Sequence, residues 1–239
     1  MYEFGRSAVK KNKASFYVAV LFVLTWIPTA CAPSLRPGRA EGKKTYNITL
    51  DRRFDNYRRS YLIHIPKGYN PEKAMPLVVV IHGAFDTATG IEKISGFSEL
   101  ADRENFAVLY PEGIGILGFL QHWNAGHCCG KAADDNWDDV GFIAAAIQDA
   151  SERIKIDPDR IYMVGFSNGG MLTHRFAAER GDLLAAAAPM AASIGGKPST
   201  DAPEWHIPKP KAPMALIAFH GQDDDDVPDL NLQTKQSFE

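Results

Sequence analysis

A serine flanked by glycines lies in the segment 165–169 (GFSNG), where an apolar run ends and a helical pattern, 168–180, begins. In Gly-x-Ser-x-Gly between a strand and a helix, the serine occupies a sharp turn that exposes its hydroxyl. Glycines on either side let the strand and the helix approach each other closely. We therefore predict that Ser167 is a nucleophile and that Gly165 and Gly169 form its turn.

A second turn, His82-Gly83-Ala84, closes the apolar run 77–81. A His-Gly turn after a central strand presents backbone N–H groups toward a nucleophile. We expect the N–H groups of Ala84 and Asn168 to form an oxyanion hole, in which one donor contributes about 2.7–4 kcal/mol to transition-state stabilisation. Gly83 permits the turn, and His82 is interpreted as a structural side chain that holds it, not as a general base.

Four consecutive aspartates, 223–226, follow the predicted strand 214–219 and His220-Gly221. A hydrolase with the chain order Ser, Asp, His places its acid in a loop at this point. The residues alone leave the choice among the four aspartates open, and a solvated acidic loop or a weak calcium site also fits such a run. We expect at least one of them to orient the base.

Strands and helices alternate around these turns, which implies a mostly parallel sheet covered by helices on both faces. Asp138-Asp139 is expected to cap a long helix, and Asp157-Pro158 indicates a turn. The predicted strands are 46–50, 59–65, 77–81, 106–110, 160–165, 184–191 and 214–219, and the predicted helices are 97–104, 138–154 and 168–180.

Six motifs, in this order along the chain, resemble the polyhydroxybutyrate depolymerase-like esterases, a family of α/β-hydrolases that includes feruloyl and acetylxylan esterases. They are 78–83 (VVVIHG), 110–113 (YPEG), 123–130 (WNAGHCCG), 138–142 (DDVGF), 165–171 (GFSNGGM) and 220–228 (HGQDDDDVP). The resemblance implies an α/β-hydrolase fold and a serine esterase that works through an acyl-enzyme, without cofactor or metal. Because the family's acid loop has the form His-Gly-x-x-Asp-x-x-Val-Pro, the resemblance places the triad acid at Asp224.

The implied partners are ester substrates: polyhydroxyalkanoates, feruloylated or acetylated polysaccharides, or small esters. The family carries its histidine in a Gly-Gly-His segment beyond the acid loop, and no histidine follows His220 in the 239 residues. We therefore expect that the last strand and helix are missing, or that the chain is a catalytically impaired remnant or a surface-binding lipoprotein of the same fold. Chain order argues against a substitute base among His64, His122, His127, His174 and His206.

The N-terminal 31 residues have the pattern of an export segment, a cationic run followed by the apolar stretch 16–27. That stretch is shorter than the roughly 20 residues that cross a bilayer comfortably. We predict an export segment over 1–31, a linker over 32–44 and a hydrolase domain over 45–239. Cys31 follows small residues and is either lipidated or adjacent to an ordinary cleavage site. The protein is then secreted, periplasmic or membrane-anchored, and meets a membrane only through this segment.

The remaining composition excludes several classes of function. A formal net charge of −3 offers no basic surface for nucleic acid. Adjacent Cys128 and Cys129 would form a strained ring, so we expect one to pair with a cysteine that this chain lacks, or both to stay reduced. Consecutive residues cannot easily surround one zinc ion. The tryptophans at 123, 137 and 205 are interpreted mainly as packing residues.

Overall fold

The computed structural model describes residues 45–116, 118–197, 201, 203–224 and 227. The predicted export segment and linker, together with Cys31, lie outside these residues. No helix in the described part of the chain is long and apolar enough to cross a membrane.

Seven strands form the central sheet: β1 (Thr45–Phe54), β2 (Tyr57–His64), β3 (Met75–Ile81), β4 (Ala107–Pro111), β7 (Ile156–Phe166), β8 (Ala186–Met190) and β11 (Ala215–Leu216). Two hairpins lie outside it: β5 (Ile114–Ile116) with β6 (Phe119–His122), and β9 (Gly195–Gly196) with β10 (Trp205–His206). The helices are α1 (Ala88–Ser95), α2 (Phe97–Glu104), α3 (Gly130–Asp134), α4 (Asp139–Arg153) and α5 (Asn168–Arg180), followed by a short 3-10 helix, Gly181–Leu183.

The sheet has the strand order β1-β2-β4-β3-β7-β8-β11. Strands β4, β3, β7, β8 and β11 pair in parallel, whereas β1 and β2 pair antiparallel at one edge. The expected mostly parallel sheet is therefore confirmed. In an open parallel sheet, functional groups gather beyond the carboxyl ends of the strands, and the turns that contain Ser167 and Ala84 both lie at that edge.

Side chains of the central strands alternate between two buried layers. Val79 and Ile81 belong to the larger core, which includes residues of α4 and α5, whereas Val80 belongs to a smaller core with Ala88 and Ile91 of α1. A strand that is buried on both faces needs a continuous apolar run. This requirement explains the apolar sequence of β3. The two cores, which include residues of α4 and α5 on one face and of α1 on the other, confirm that helices cover both faces of the sheet.

The predicted helices 97–104 and 168–180 are α2 and α5, and the Asp138 side chain caps α4 by accepting a hydrogen bond from the Gly141 N–H at 2.8 Å. The turn predicted at Asp157-Pro158 is wrong, because both residues lie within β7. Ile156 pairs with Met75 and Ile161 with Leu77, so residues 157–160 bulge opposite a single residue of β3. The bulge contains the turn-forming residues without ending the strand.

Candidate active site

Ser167 occupies the junction between β7 and α5, with φ 77° and ψ −115°. Its N–H donates to the Met190 carbonyl at 2.9 Å, and its carbonyl accepts from the Met171 N–H at 2.8 Å. A side-chain-bearing residue with this backbone conformation is strained and persists only when its surroundings hold it. Here β8 and the first turn of α5 hold it from two sides, and the side chain is partly exposed.

The turns around Ser167 leave no room for side chains at Gly165 and Gly169 and little room at Gly83. A Cβ atom at Gly169 would lie 2.7 Å from the Ile81 carbonyl oxygen. A Cβ atom at Gly83 would lie 3.1 Å from Phe166 Cδ1 and 3.4 Å from Ser167 Cβ. A Cβ atom at Gly165 would lie 2.5 Å from the Gly169 carbonyl carbon. The end of β3 therefore lies directly against the turn that carries the serine.

The His82 ring is fully buried and holds the turn in which it lies. Its Nδ1 lies 2.7 Å from the Gly83 carbonyl oxygen, and its Nε2 accepts a hydrogen bond from the Gly113 N–H at 3.2 Å. Because a carbonyl can only accept and an N–H can only donate, the ring proton lies on Nδ1. Burial lowers the pKa of His82 to about 4 and keeps the ring neutral near pH 7. Both ring nitrogens are occupied, as suits a structural role.

The two predicted oxyanion donors, Ala84 and Asn168, lie on the turns that meet at Ser167. Neither backbone N–H donates a hydrogen bond to any other residue that the structure describes. By contrast, the next amide, that of Phe85, donates to the Gln121 carbonyl at 2.8 Å and ties the turn to the β5–β6 hairpin. The Asn168 side chain is buried and bonded to the backbone of Trp123 at 2.8 and 3.0 Å.

The aspartate loop leaves the sheet after β11, which is separated by one strand, β8, from the β7 strand that leads to the serine. Phe219, which precedes it, bridges to Met190, the residue whose carbonyl binds the Ser167 N–H. Asp224 Oδ1 accepts a hydrogen bond from the Val227 N–H at 3.0 Å, and Oδ2 lies 3.3 Å from His220 Nε2. Asp224 is thus held within its own loop and remains about one-fifth exposed at its side chain. Residues 225 and 226 lie outside the described residues.

The other histidines have separate environments, and none of those described donates to or accepts from the Ser167 side chain. His64 lies beside Asp102, His122 packs against Phe85, and His206 pairs with Glu204. The two that remain are His127, whose Nε2 lies 2.8 Å from Ser193 Oγ, and the buried His174 of α5. Burial lowers the pKa of each of these two to about 4.

Sequence reasoning missed the polar side chains that support the turn at residues 82–84, which we call the oxyanion turn after its predicted role. Buried Arg59 and Asp139 form an ion pair at 2.8 Å, and Asp139 accepts the Asn124 N–H at 2.7 Å. Glu112 accepts the Ala88 N–H at 3.0 Å and the Gln121 side-chain amide at 2.5 Å. Asp139 and Glu112 belong to the motifs at 138–142 and 110–113, which were the available indication of their importance.

The expectation for the adjacent cysteines is wrong. Cys128 and Cys129 are bonded to each other, across a cis peptide bond that places their Cα atoms 3.0 Å apart. Within the described residues, no group of three or more His, Cys, Asp or Glu side chains is arranged to hold a metal ion.

Large apolar side chains are exposed on the segments that adjoin Ser167 and on the β5–β6 hairpin that is bonded to the turn at 82–85. They are Phe85 in the oxyanion turn, Phe119 at the tip of the β5–β6 hairpin, Phe166 before the serine, and Met190 and Phe219 at the ends of the next two strands. Phe85 and Phe119 are 66% and 70% exposed. Exposed apolar side chains near a nucleophile suit the binding of an apolar ligand.

A parallel sheet that presents a strained serine at a strand-to-helix turn, beside a glycine turn from the neighbouring strand, defines the α/β-hydrolase class. Solved structures agree on the fold. The chain superposes on "Crystal Structure of sOPH Native" with a TM-score of 0.60, 20% identity, and coverage of 79% of this chain and 71% of that one. It superposes on a thermostable esterase with a TM-score of 0.57, 20% identity, and coverage of 80% and 50%.

The sequence profile of the family described as Esterase PHB depolymerase matches residues 59–200, and the chain belongs to this family. It is 32% identical to Feruloyl esterase B of Piromyces equi over 167 residues, which are 70% of this chain and 29% of that protein. It is 36% identical to Poly(3-hydroxyalkanoate) depolymerase C of Paucimonas lemoignei over 138 residues, 54% of this chain and 30% of that protein. The chain therefore spans about a third of the length of these relatives.

Proposed function

We propose that the protein hydrolyses carboxylic esters through an acyl-enzyme on Ser167. The serine oxygen attacks the ester carbonyl, the N–H groups of Ala84 and Asn168 bind the resulting oxyanion, and the alcohol leaves with a proton. Water then attacks the acyl-serine and releases the acid. The observation that carries the proposal is the strained Ser167 turn, packed against a second turn, with two N–H groups that have no acceptor among the described residues.

Asp224 is proposed as the acid that orients the base of this reaction. It follows the strand next to β8, so one strand separates its loop from the serine turn. In the Ser-His-Asp arrangement, the base takes the serine proton and returns it to the leaving group. We assign this base to none of the histidines that the structure describes, because none of them is hydrogen-bonded to Ser167.

The proposed substrates are polyhydroxyalkanoate-type polyesters or feruloyl and acetyl esters of polysaccharides. Relatives named as a feruloyl esterase, a poly(3-hydroxyalkanoate) depolymerase and an acetylxylan esterase support this choice. The exposed apolar side chains beside Ser167 suit an aromatic acyl group or an apolar polymer. The export segment and the lipidation or cleavage site that we propose at Cys31 would give the enzyme access to polymers outside the cell.

The decisive test is covalent labelling of Ser167, together with turnover of p-nitrophenyl acetate by protein produced from its own gene. We expect a fluorophosphonate probe to modify the wild type, and Ser167→Ala to abolish both labelling and turnover. Ser151→Ala is the matched control, because Ser151 lies on α4 and bonds only within that helix. A folded wild type that stays unlabelled would refute the enzyme and favour a non-catalytic binding protein of the same fold.

The substrate class is tested by comparing release of product from methyl ferulate, acetylated xylan and poly(3-hydroxybutyrate) particles. Hydrolysis of p-nitrophenyl acetate without release from any of the three would contradict the proposed substrates and leave the ester hydrolase intact. The two conclusions are therefore tested separately.

A further inference from the structure

Trp123 is hydrogen-bonded to both turns that carry the predicted oxyanion donors, the turn that contains Ala84 and the turn that contains Asn168. Its side chain is completely buried, and its hydrogen bonds extend in two directions. The backbone N–H donates to Asn168 Oδ1 at 2.8 Å, and the backbone carbonyl accepts from Asn168 Nδ2 at 3.0 Å. The indole Nε1–H donates to the His82 carbonyl at 2.9 Å.

These bonds fix both sides of the oxyanion hole to one residue. The Asn168 side-chain amide both accepts from and donates to the Trp123 backbone. A rotation of Asn168 would therefore break two hydrogen bonds. The His82 carbonyl lies two residues before Ala84, in the turn that supplies the other donor. Trp123 is separated along the chain by 45 residues from Asn168 and by 41 from His82. The pairing of β3 with β7 ends at Ile81 and Gly165, so beyond the sheet Trp123 adds hydrogen bonds to both turns.

The indole itself is held firmly. Its ring packs against the His82 ring with centroids 4.7 Å apart, and the Arg59 guanidinium lies 5.8 Å from its centroid on the buried side. The next residue, Asn124, is fixed through its N–H by Asp139. A group that is held on all sides can transmit its own position to the groups it binds.

We propose that Trp123 is a positioning residue that sets the separation between the Ala84 and Asn168 N–H groups. The inference rests on the proposed function, because the separation matters only when both donors bind one oxyanion. Two donors stabilise the transition state fully only when each lies about 2.7–3.1 Å from the oxyanion. A displacement of one turn weakens the transition state more than the bound ester, so the effect falls on kcat and not on KM.

The test is Trp123→Phe, which removes the indole N–H and retains an aromatic ring and both backbone bonds to Asn168. We expect kcat for p-nitrophenyl acetate to fall by about tenfold or more with KM within twofold of the wild type. The rate constant of fluorophosphonate labelling should fall by a similar factor. Trp137→Phe makes the same change at another buried tryptophan and should leave both constants within twofold.

A second variant, Asn168→Asp, covers the case in which Trp123→Phe does not fold. It keeps the acceptor for the Trp123 N–H but replaces the Nδ2 donor with a carboxylate oxygen that faces the Trp123 carbonyl, and it should lower kcat in the same way. Unchanged kcat in a folded variant, a loss confined to KM, or an equal loss in Trp137→Phe would overturn the inference.

A wild type that is neither labelled nor active would refute the proposed function and still leave the inference testable. The amide resonances of Ala84 and Asn168 would then decide it in ¹⁵N-labelled protein. If both shift in Trp123→Phe and neither shifts in Trp137→Phe, Trp123 positions the two turns. If either fails to shift in Trp123→Phe, it does not.

Discussion

His174 provides a direct test of how burial controls the acid stability of this fold. The side chain lies on α5, is 4% exposed, and makes no hydrogen bond to another described residue. Burial lowers its pKa from 6.5 to about 4, and the nearby His127 adds to the effect. Replacing it by Gln removes the titrating group and keeps a polar side chain of similar size, without breaking a hydrogen bond that the structure describes.

The sign follows from the two pKa values. Between pH 6.5 and about 4 the unfolded chain binds a proton at His174 and the folded chain does not, so stability falls as the pH is lowered through this window. The full difference corresponds to about 3 kcal/mol, of which about 2 kcal/mol is lost between pH 7 and pH 5. A loss of this size is large for a domain whose total stability is about 5–15 kcal/mol.

The assay is urea unfolding at pH 7 and pH 5, analysed as the difference between the two free energies of unfolding. We expect His174→Gln to lose about 2 kcal/mol less than the wild type over this interval, whatever its stability at pH 7. His206→Gln is the matched control, since it removes an exposed histidine from the β9–β10 hairpin and should follow the wild type. An identical loss in His174→Gln and the wild type would refute the reasoning.

Two further substitutions test the support of the oxyanion turn. Asp139→Asn leaves the buried Arg59 guanidinium without its charged partner. We expect a loss of about 3–5 kcal/mol in the free energy of unfolding, measured by urea titration. A loss below about 1 kcal/mol would contradict a buried, paired charge. Gly169→Ala places a Cβ atom 2.7 Å from the Ile81 carbonyl oxygen. We expect about 1–3 kcal/mol of destabilisation by the same measurement, together with slower fluorophosphonate labelling of Ser167. An unaltered labelling rate would show that the turn tolerates the displacement.

Elements with one dominant local pattern were predictable from the sequence. The buried strand β3 and the helix α5 follow from an apolar run and from apolar spacing between turn residues. The helix α1 was missed because it is short and carries Gly90 in its first turn, and its start depends on the Thr87 side chain, which accepts the Gly90 N–H at 3.0 Å. The β5–β6 hairpin was missed because its strands are short and their apolar residues are exposed, including Ile116 and Phe119.

Part of the candidate site could likewise be predicted from local sequence, whereas the rest depends on contacts between residues that are far apart in the chain. The turn at Ser167 is a local motif, and its glycine spacing is enough to predict it. The pairing of Asn168 with Trp123 and of Arg59 with Asp139 joins residues far apart in the chain, and no period or spacing indicates such contacts. The family motifs marked most of these residues as a group, but only the fold shows which of them meet.

The neutral state of His82 connects this long-range support with the chemistry at Ser167. The Gly113 N–H donates to His82 Nε2, and a protonated ring would present a donor there instead, so this bond exists only while the ring is neutral. Burial lowers the pKa of His82 to about 4, which keeps the ring neutral throughout the range in which a histidine base would change its charge. The oxyanion turn therefore keeps its shape over the pH range in which the base of the proposed reaction would gain and lose its proton.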